Sequence, residues 1–214
     1  MRKIFGANSP LMRRLAQLPD LILLNLLWLL CCLPVFTVGA ATAALHTVVQ
    51  SYVAEEDNGV IKPFFKAFRA NFKQSTRLFL PLLLLVVLLA VDVLFLMQKA
   101  TGAQLLLWIP FLILGAIGSI LIAYGFPLIA RYENDLKTII SNAFLLFSLH
   151  FLPSVAVIAL NVLPWALMLL EPDLFLRSIL LWLPIGGSLI SYISNMILLP
   201  IFKRYEPKPD QEQA

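Results

Sequence analysis

Two polar side chains that could do chemistry stand one helical turn apart in an uncharged stretch of the chain. His46 and Gln50 have this spacing, which places them on one face of a helix. A lone histidine without an acid beside it makes a poor metal or proton-relay site, so hydrogen bonds between helices are the favoured interpretation. Asn161 and Asn195 are expected to serve the same purpose in later apolar stretches. The alternative is an intramembrane polar site, formed by these four side chains and Asp92, that lines a pathway for a solute.

Asp92 is the one acid well inside a long apolar stretch. An unpaired charge near the middle of a bilayer costs about 3 kcal/mol or more, so this carboxyl must be protonated, paired or close to an interface. It follows Leu78 by about 21 Å of helix, which brings it near the outer boundary, where Lys99 could neutralise it. A structural contact with a cation or headgroup is favoured over a proton site coupled to transport.

Residues 61–77 combine a basic face with an aromatic one. This pattern is typical of a helix that lies on a membrane surface and contacts anionic lipids. The alternative is a docking surface for a cytoplasmic partner. Binding of nucleic acid is excluded because no reader motif accompanies the cations. The candidate surface comprises Lys62, Phe64, Phe65, Lys66, Phe68, Arg69, Phe72, Lys73 and Arg77.

Composition identifies an integral membrane protein. Of the 214 residues, 60% are hydrophobic and 13% are charged, and the mean hydropathy is +0.89, whereas about a quarter of the residues of a soluble protein are charged. The chain has no GxxxxGK[ST], HExxH or GxSxG pattern and no cluster of carboxylates, Cys and His. Cys31 and Cys32 are adjacent in the sequence, so they do not have the CxxC spacing of a metal site. We therefore predict a protein that is not an enzyme and has no cofactor or metal.

Residues 78–97, 105–130, 151–170 and 175–202 are each near or above the roughly 20 residues that a spanning helix needs. The uncharged region 21–54 is about 50 Å long as a helix, too long for one crossing and too short for two full ones. Pro34 and Gly39 supply a break between two legs. The second leg is too polar to face lipid, so we expect it to be short, tilted or re-entrant and to pack inside the bundle.

The positive-inside rule favours this hairpin. With it, 14 of the 16 Lys and Arg residues fall on the inner side, and only Lys99 and Arg177 fall outside. The predicted fold is an all-α, polytopic helical bundle in the cell membrane, with five to six membrane segments, interfacial amphipathic helices and cytoplasmic termini. The N-terminal segment is expected to stay attached as an anchor rather than to be cleaved as a signal peptide.

A repeat with a period of about 72 to 74 residues is visible in the later part of the chain. The copies would be parallel, because each contains a surface helix and two spans. Three motifs recur in order: Phe79-Leu80-Pro81 as Phe151-Leu152-Pro153, Leu107-Trp108-Ile109-Pro110 as Leu181-Trp182-Leu183-Pro184, and Arg131-Tyr132-Glu133 as Arg204-Tyr205-Glu206. The predicted organisation is a single membrane domain, 1–206, made of a cytoplasmic segment 1–20, the hairpin 21–54 and repeat units 61–133 and 134–206, with a cytoplasmic tail, 207–214.

Two segments resemble a known family. They are residues 25–42, Asn-Leu-Leu-Trp-Leu-Leu-Cys-Cys-Leu-Pro-Val-Phe-Thr-Val-Gly-Ala-Ala-Thr, and residues 64–74, Phe-Phe-Lys-Ala-Phe-Arg-Ala-Asn-Phe-Lys-Gln. Over nearly its whole length the chain resembles the YesL family of small bacterial membrane proteins of unknown function. Genes of that family often lie beside those of carbohydrate ABC importers. The resemblance therefore implies a link to sugar uptake and supplies no catalytic residues.

Two functions remain open at this point. The preferred one is a non-catalytic accessory or scaffold protein that contacts an ABC importer permease subunit through its basic surface. The alternative is a small transporter or channel in which His46 and Gln50 face Asn161 or Asn195 across a cavity. A transporter needs a hydrated cavity in the membrane, and an accessory protein needs an exposed partner surface.

Overall fold

The computed structural model describes residues 16–56, 58–99 and 108–206, and the side chains of residues 92–108, 169 and 181 are outside this description. Within these residues the regular elements are all helices. They are α1 (Leu18–Cys32), a 3-10 turn (Val35–Thr37), α2 (Val38–Val53), α3 (Ile61–Lys99), α4 (Trp108–Ile120), a π-helical turn (Leu121–Gly125), α5 (Phe126–Arg131), α6 (Leu136–Leu149), α7 (Phe151–Leu170) and α8 (Pro172–Phe202).

The prediction of an all-α, multi-pass membrane protein is confirmed. Four stretches in the described residues are long and apolar enough to cross a bilayer: Ile61–Val91, Ile109–Arg131, Phe151–Met168 and Trp182–Phe202. Each of them overlaps one of the four spans expected from the sequence, and the first begins 17 residues earlier than expected because it includes the basic segment. The fifth and sixth segments would have to come from the region before α3.

That region forms a short hairpin of α1 and α2. Pro34 is extended, with φ −78° and ψ 113°, and the 3-10 turn follows it, so the predicted break is present. The two arms have 15 and 16 residues, about 22 to 24 Å each, less than the thickness of the hydrocarbon core. Gly39, next to the tip, lies against Ser75 and Phe79 near the middle of α3. The hairpin is therefore short and runs beside the first half of α3, and its re-entry into the membrane stays a prediction.

The second arm lies inside the bundle, as its polar residues predicted. Eleven residues of α2 are buried, among them His46 and Gln50. One apolar core joins α1, α2 and the start of α3, with Leu24, Val48 and Phe64 fully buried. A second core joins the later helices through residues 120–129, α6 and the end of α8.

The basic segment is not a separate surface helix, and this prediction is wrong. Residues 61–77 and the first span form one helix, α3, of 39 residues with Pro81 inside it. No Gly or Pro interrupts residues 64–80, so nothing there stops the helix before the apolar run begins.

The aromatic face of residues 61–77 also differs from the prediction. Phe64 is completely buried against α1 and α2, and Phe68 packs on the same core. Phe72 is half-buried, and Phe65 remains 40% exposed. Phe64 and Phe68 therefore contact the hairpin rather than lipid, whereas Phe65 stays partly exposed. The reason is that α2 supplies an apolar surface of small residues along the same side of α3, beginning where Gly39 lies against it.

The span that ends at Arg131 contains a widened π-helical turn at Leu121–Gly125. Pro127 explains it, because a proline has no N–H to bond the carbonyl one turn earlier and its ring crowds that carbonyl. The side chain of Leu78 packs closely against the last residue of this turn, since a Cβ on Gly125 would lie 2.7 Å from it. The wide turn lies within the membrane span, next to the polar side chains described below.

The helix of the second proposed repeat unit is interrupted at a position where the helix of the first unit is continuous. The helical run of α6 and α7 is interrupted at His150, which has φ −126° and ψ 53°. Pro153 therefore falls in the first turn of α7, where a proline is tolerated, whereas its counterpart Pro81 lies inside α3. The two-unit repeat itself stays a prediction from the sequence.

Candidate functional site

A buried polar cluster, here called the polar junction, joins α2 to α8. It consists of His46, Gln50, Ser191 and Asn195, whose exposed fractions lie between 0% and 7%. Gln50 Nε2 donates to Asn195 Oδ1 at 3.1 Å and to the carbonyl of Pro127 at 2.9 Å. Asn195 Nδ2 lies 2.8 Å from His46 Nδ1, and Ser191 Oγ lies 3.0 Å from it. Three elements of the bundle thus meet through side-chain hydrogen bonds.

These contacts set the state of the imidazole ring. An amide nitrogen can only donate, so Asn195 Nδ2 donates and His46 Nδ1 accepts. A ring whose Nδ1 accepts is neutral and carries its proton on Nε2. The junction therefore works as a set of satisfied hydrogen bonds between helices, as the favoured interpretation of His46 predicted.

The other predicted intramembrane residues do not all join the junction. Asn195 does, but Asn161 Nδ2 donates within its own helix to the carbonyl of Val157 at 2.8 Å and reaches Ser194 Oγ at 3.4 Å. Of the two asparagines expected to face His46, Asn195 is therefore the one that does so. Asp92 is part of α3, but its side chain lies outside the described residues, so the prediction about its pairing stays open.

A second site, here called the basic cleft, opens between the first part of α3 and the end of α5. It has a volume of about 510 Å³, within the range of ligand sites. Its floor is apolar and its rim carries charged and amide groups. It is lined by Thr47, Asn58, Lys62, Pro63, Lys66, Ala67, Ala70, Asn71, Ile129, Ala130, Arg131, Tyr132 and Glu133.

The cations of the predicted basic surface differ in whether they line the basic cleft. Lys62 and Lys66 are exposed, and neither forms an ion pair within the part of the chain that the structure describes. Glu133, also exposed, is the acid on the rim. The cations Arg69, Lys73 and Arg77 of the predicted surface are likewise exposed but lie outside the cleft, so the sequence-predicted basic face divides into two groups.

Beside the cleft, the two Arg-Tyr-Glu motifs meet in a clasp. Arg131 Nε lies 2.6 Å from Glu206 Oε1, and the Tyr132 hydroxyl donates to the same oxygen at 2.9 Å. The bond from Arg131 is the main reason that the pKa of Glu206 is lowered. Partial burial, together with Glu206, raises the pKa of Tyr132 to about 12. The recurring Arg-Tyr-Glu motif was the signal in the sequence for this clasp, but a contact between the two copies was not predicted.

Comparison with known proteins adds a family resemblance over part of the chain. Residues 21–93 match the model of a family described as a protein of unknown function, DUF624. The uncharacterized protein YteU of Bacillus subtilis (strain 168) is 27% identical over 194 residues, which is 88% of this chain and 83% of that protein. No solved structure matches. The matched segment includes the hairpin and the part of α3 that carries Lys62 and Lys66, and neither description names an enzymatic activity.

The two sites suit different tasks. Within the described residues no group of three His, Cys, Asp or Glu side chains is placed to hold a metal ion. The four side chains of the polar junction are buried and bond to one another and to the carbonyl of Pro127. The basic cleft, by contrast, presents two amines without a carboxylate partner to the surroundings, so it is the site at which another molecule can be recognised.

Proposed function

We propose that this chain is a non-catalytic accessory or scaffold protein of the cell membrane that docks a cytoplasmic partner through the basic half of α3. The observation that carries the proposal is the distribution of charged and aromatic side chains around that half of the helix. All five of its cations are exposed on one side of the helix, and Phe64 and Phe68 on the other side pack against the hairpin. A helix that is fixed to the protein on one face can offer the other face to a partner without losing its own packing.

The polar junction argues for this function over transport. A transport pathway needs donors and acceptors that a solute can reach, whereas His46, Gln50 and Asn195 are buried and bonded to one another. Opening this cluster would leave three polar side chains without partners in a low-dielectric environment, which is costly.

A carbohydrate ABC importer is the first candidate partner, and its permease subunits are the surface on which docking is proposed. The support is the resemblance of residues 25–42 and 64–74 to the YesL family. The cytoplasmic side is proposed for the basic half of α3 and for both termini, because the positive-inside rule places most cations there.

Pull-down from native membranes in a mild detergent tests the docking proposal. The test variant reverses Lys66, Arg69 and Lys73 to Glu. The matched control reverses Lys137, Lys203 and Arg204, three exposed cations elsewhere in the chain, and so changes the net charge equally. Specific recovery of a partner that is lost only in the first variant supports the proposal. Equal loss in both variants, or recovery that survives both, contradicts it.

A transporter or channel is the second candidate, because the wide π-helical turn lies beside the junction and such turns are frequent at functional sites. Its test is solute flux in proteoliposomes. Replacing Gln50 by Leu should abolish flux with the protein still inserted if this candidate is right. Flux that is absent from the wild-type protein, or unchanged by the substitution, would rule it out.

A further inference from the structure

The basic cleft has an ordered arrangement of charge. Lys62 and Lys66 stand one helical turn apart on α3, and Glu133 lies on the segment after α5 that forms the other wall. The guanidinium of Arg131 is already bound to Glu206. The free positive charge is therefore concentrated on one wall, and a negative charge faces it from the other.

We infer that the basic cleft binds an acidic peptide segment of the docked partner, with carboxylates on Lys62 and Lys66 and a basic or hydroxyl side chain on Glu133. This inference rests on the proposed docking function and names the chemistry of the partner's binding element. The charges of the two walls select for carboxylates on the side of the lysines, because Glu133 repels them on the other side.

The openness of the cleft favours a peptide segment over a free small molecule. Lys62, Lys66, Ala70 and Glu133 are all exposed, whereas small-molecule sites bury most of their ligand. A segment that belongs to a larger partner does not need such burial, since the surrounding interface contributes to its binding. The floor of Ala67 and Ala70 leaves room for a backbone to lie across it.

The test measures peptide binding to the full-length protein in nanodiscs of uncharged phosphatidylcholine. The probe is a fluorescein-labelled peptide of about nine residues with two adjacent glutamates followed by a lysine, and fluorescence anisotropy reports its dissociation constant. Three comparison ligands are used: the same composition in reversed order, a version with Gln in place of Glu, and inorganic phosphate. The test variant is Lys62→Glu with Lys66→Glu, and the matched control is Arg69→Glu with Lys73→Glu.

We expect the test variant to raise the dissociation constant about tenfold or more, and the control variant to change it less than about twofold. The Gln peptide should bind the wild-type protein more weakly, and the reversed peptide should bind about as tightly as the original, because an open cleft admits either direction. Equal effects of the two variants would show general attraction by charge and overturn the inference. Equal binding of the Gln peptide, competition by phosphate, or no binding at all would overturn it too.

Failure here is distinguishable from failure of the proposed function. If the partner is still recovered from native membranes with the Lys62 and Lys66 double variant but lost when Arg69 and Lys73 are reversed, docking stands and the cleft is not its site. If the partner is recovered equally with every variant, the basic half of α3 is not a docking surface at all.

Discussion

The polar junction and the basic cleft both include residues of the same short helix, α2. The polar groups of the junction are buried and hydrogen-bonded, whereas the charged groups of the cleft are exposed. His46 and Gln50 point to α8 and the carbonyl of Pro127, and their hydrogen bonds are satisfied inside the protein. Thr47, which follows His46 in the chain and lies to one side of this pair on the helix, lines the cleft. One face of α2 therefore holds the bundle together, and an adjacent face forms part of an open surface.

This difference shows how polar residues in a membrane protein can be sorted by function. Buried donors and acceptors that bind one another stabilise a particular arrangement of helices, and their loss lowers the free energy of unfolding. Exposed charges without partners add little to stability and remain available for recognition. The comparison predicts large stability effects at the junction and none at the cleft.

The largest effect is expected where α2 approaches α3. A Cβ at Gly39 would lie 2.6 Å from the carbonyl oxygen of Ser75 and 2.6 Å from Phe79 Cβ, and backbone atoms cannot move aside cheaply. Gly39→Val should lower the free energy of unfolding by about 3 kcal/mol, measured by SDS titration in detergent micelles.

Gly115→Val is the matched control, since no atom lies within 4 Å of a Cβ at that position. It should change stability by less than about 1 kcal/mol. A Gly39→Val protein as stable as the control would mean that α2 does not depend on close contact with α3, and the contrast between the two sites would lose its structural basis.

The next effect tests the junction itself. Asn195→Leu removes the acceptor of Gln50 and a donor to His46, so it should destabilise the protein by about 1 to 2 kcal/mol in the same titration. Asn161→Leu is the control, because Asn161 bonds mainly to its own helix, and its effect should be smaller. Equal effects would show that membership of the junction does not matter.

Much of the junction could be predicted from the sequence. The polar residues of α2 stood out in an uncharged stretch, and their spacing placed His46 and Gln50 on one face. What the sequence could not give was the partner on α8. Asn161 and Asn195 have the same residue type in equally apolar stretches, and only the packing of α7 and α8 decides that Asn195 faces α2.

The basic half of α3 was harder to predict for a related reason. Helical spacing correctly separated cations from phenylalanines, but the same pattern suits lipid and protein as the apolar partner. Burial of Phe64 against the hairpin depends on contacts between α2 and α3, as does the close approach at Gly39. The continuity of α3 could have been expected, since no helix-breaking residue separates its two halves.

A smaller effect on stability is expected at the clasp. Its groups are partly exposed, so their exposure is intermediate between that of the buried junction and that of the open cleft. The pKa of Glu206 is lowered from 4.5 in the folded protein, chiefly by Arg131. A lowered folded-state pKa means that the stabilisation is present above pH 4.5 and is lost as the pH falls through the lower, folded-state value.

Glu206→Gln should therefore cost about 0.5 to 1 kcal/mol at neutral pH and flatten the acid limb of the melting-temperature profile. Glu133→Gln, at the equivalent position of the other motif, should leave that limb as it is in the wild-type protein. If both variants keep the wild-type profile, the clasp contributes nothing measurable to stability.

The smallest effect on stability is expected at the cleft. Reversal of Lys62 and Lys66 to Glu changes two exposed side chains that form no ion pair in the described residues, so the melting temperature should stay within about 1 to 2 °C of wild type. The same variant should nevertheless lose peptide binding, and this separation is what distinguishes a recognition surface from a structural one. A large fall in melting temperature would mean that the two lysines hold the fold together, and the cleft would then resemble the junction rather than contrast with it.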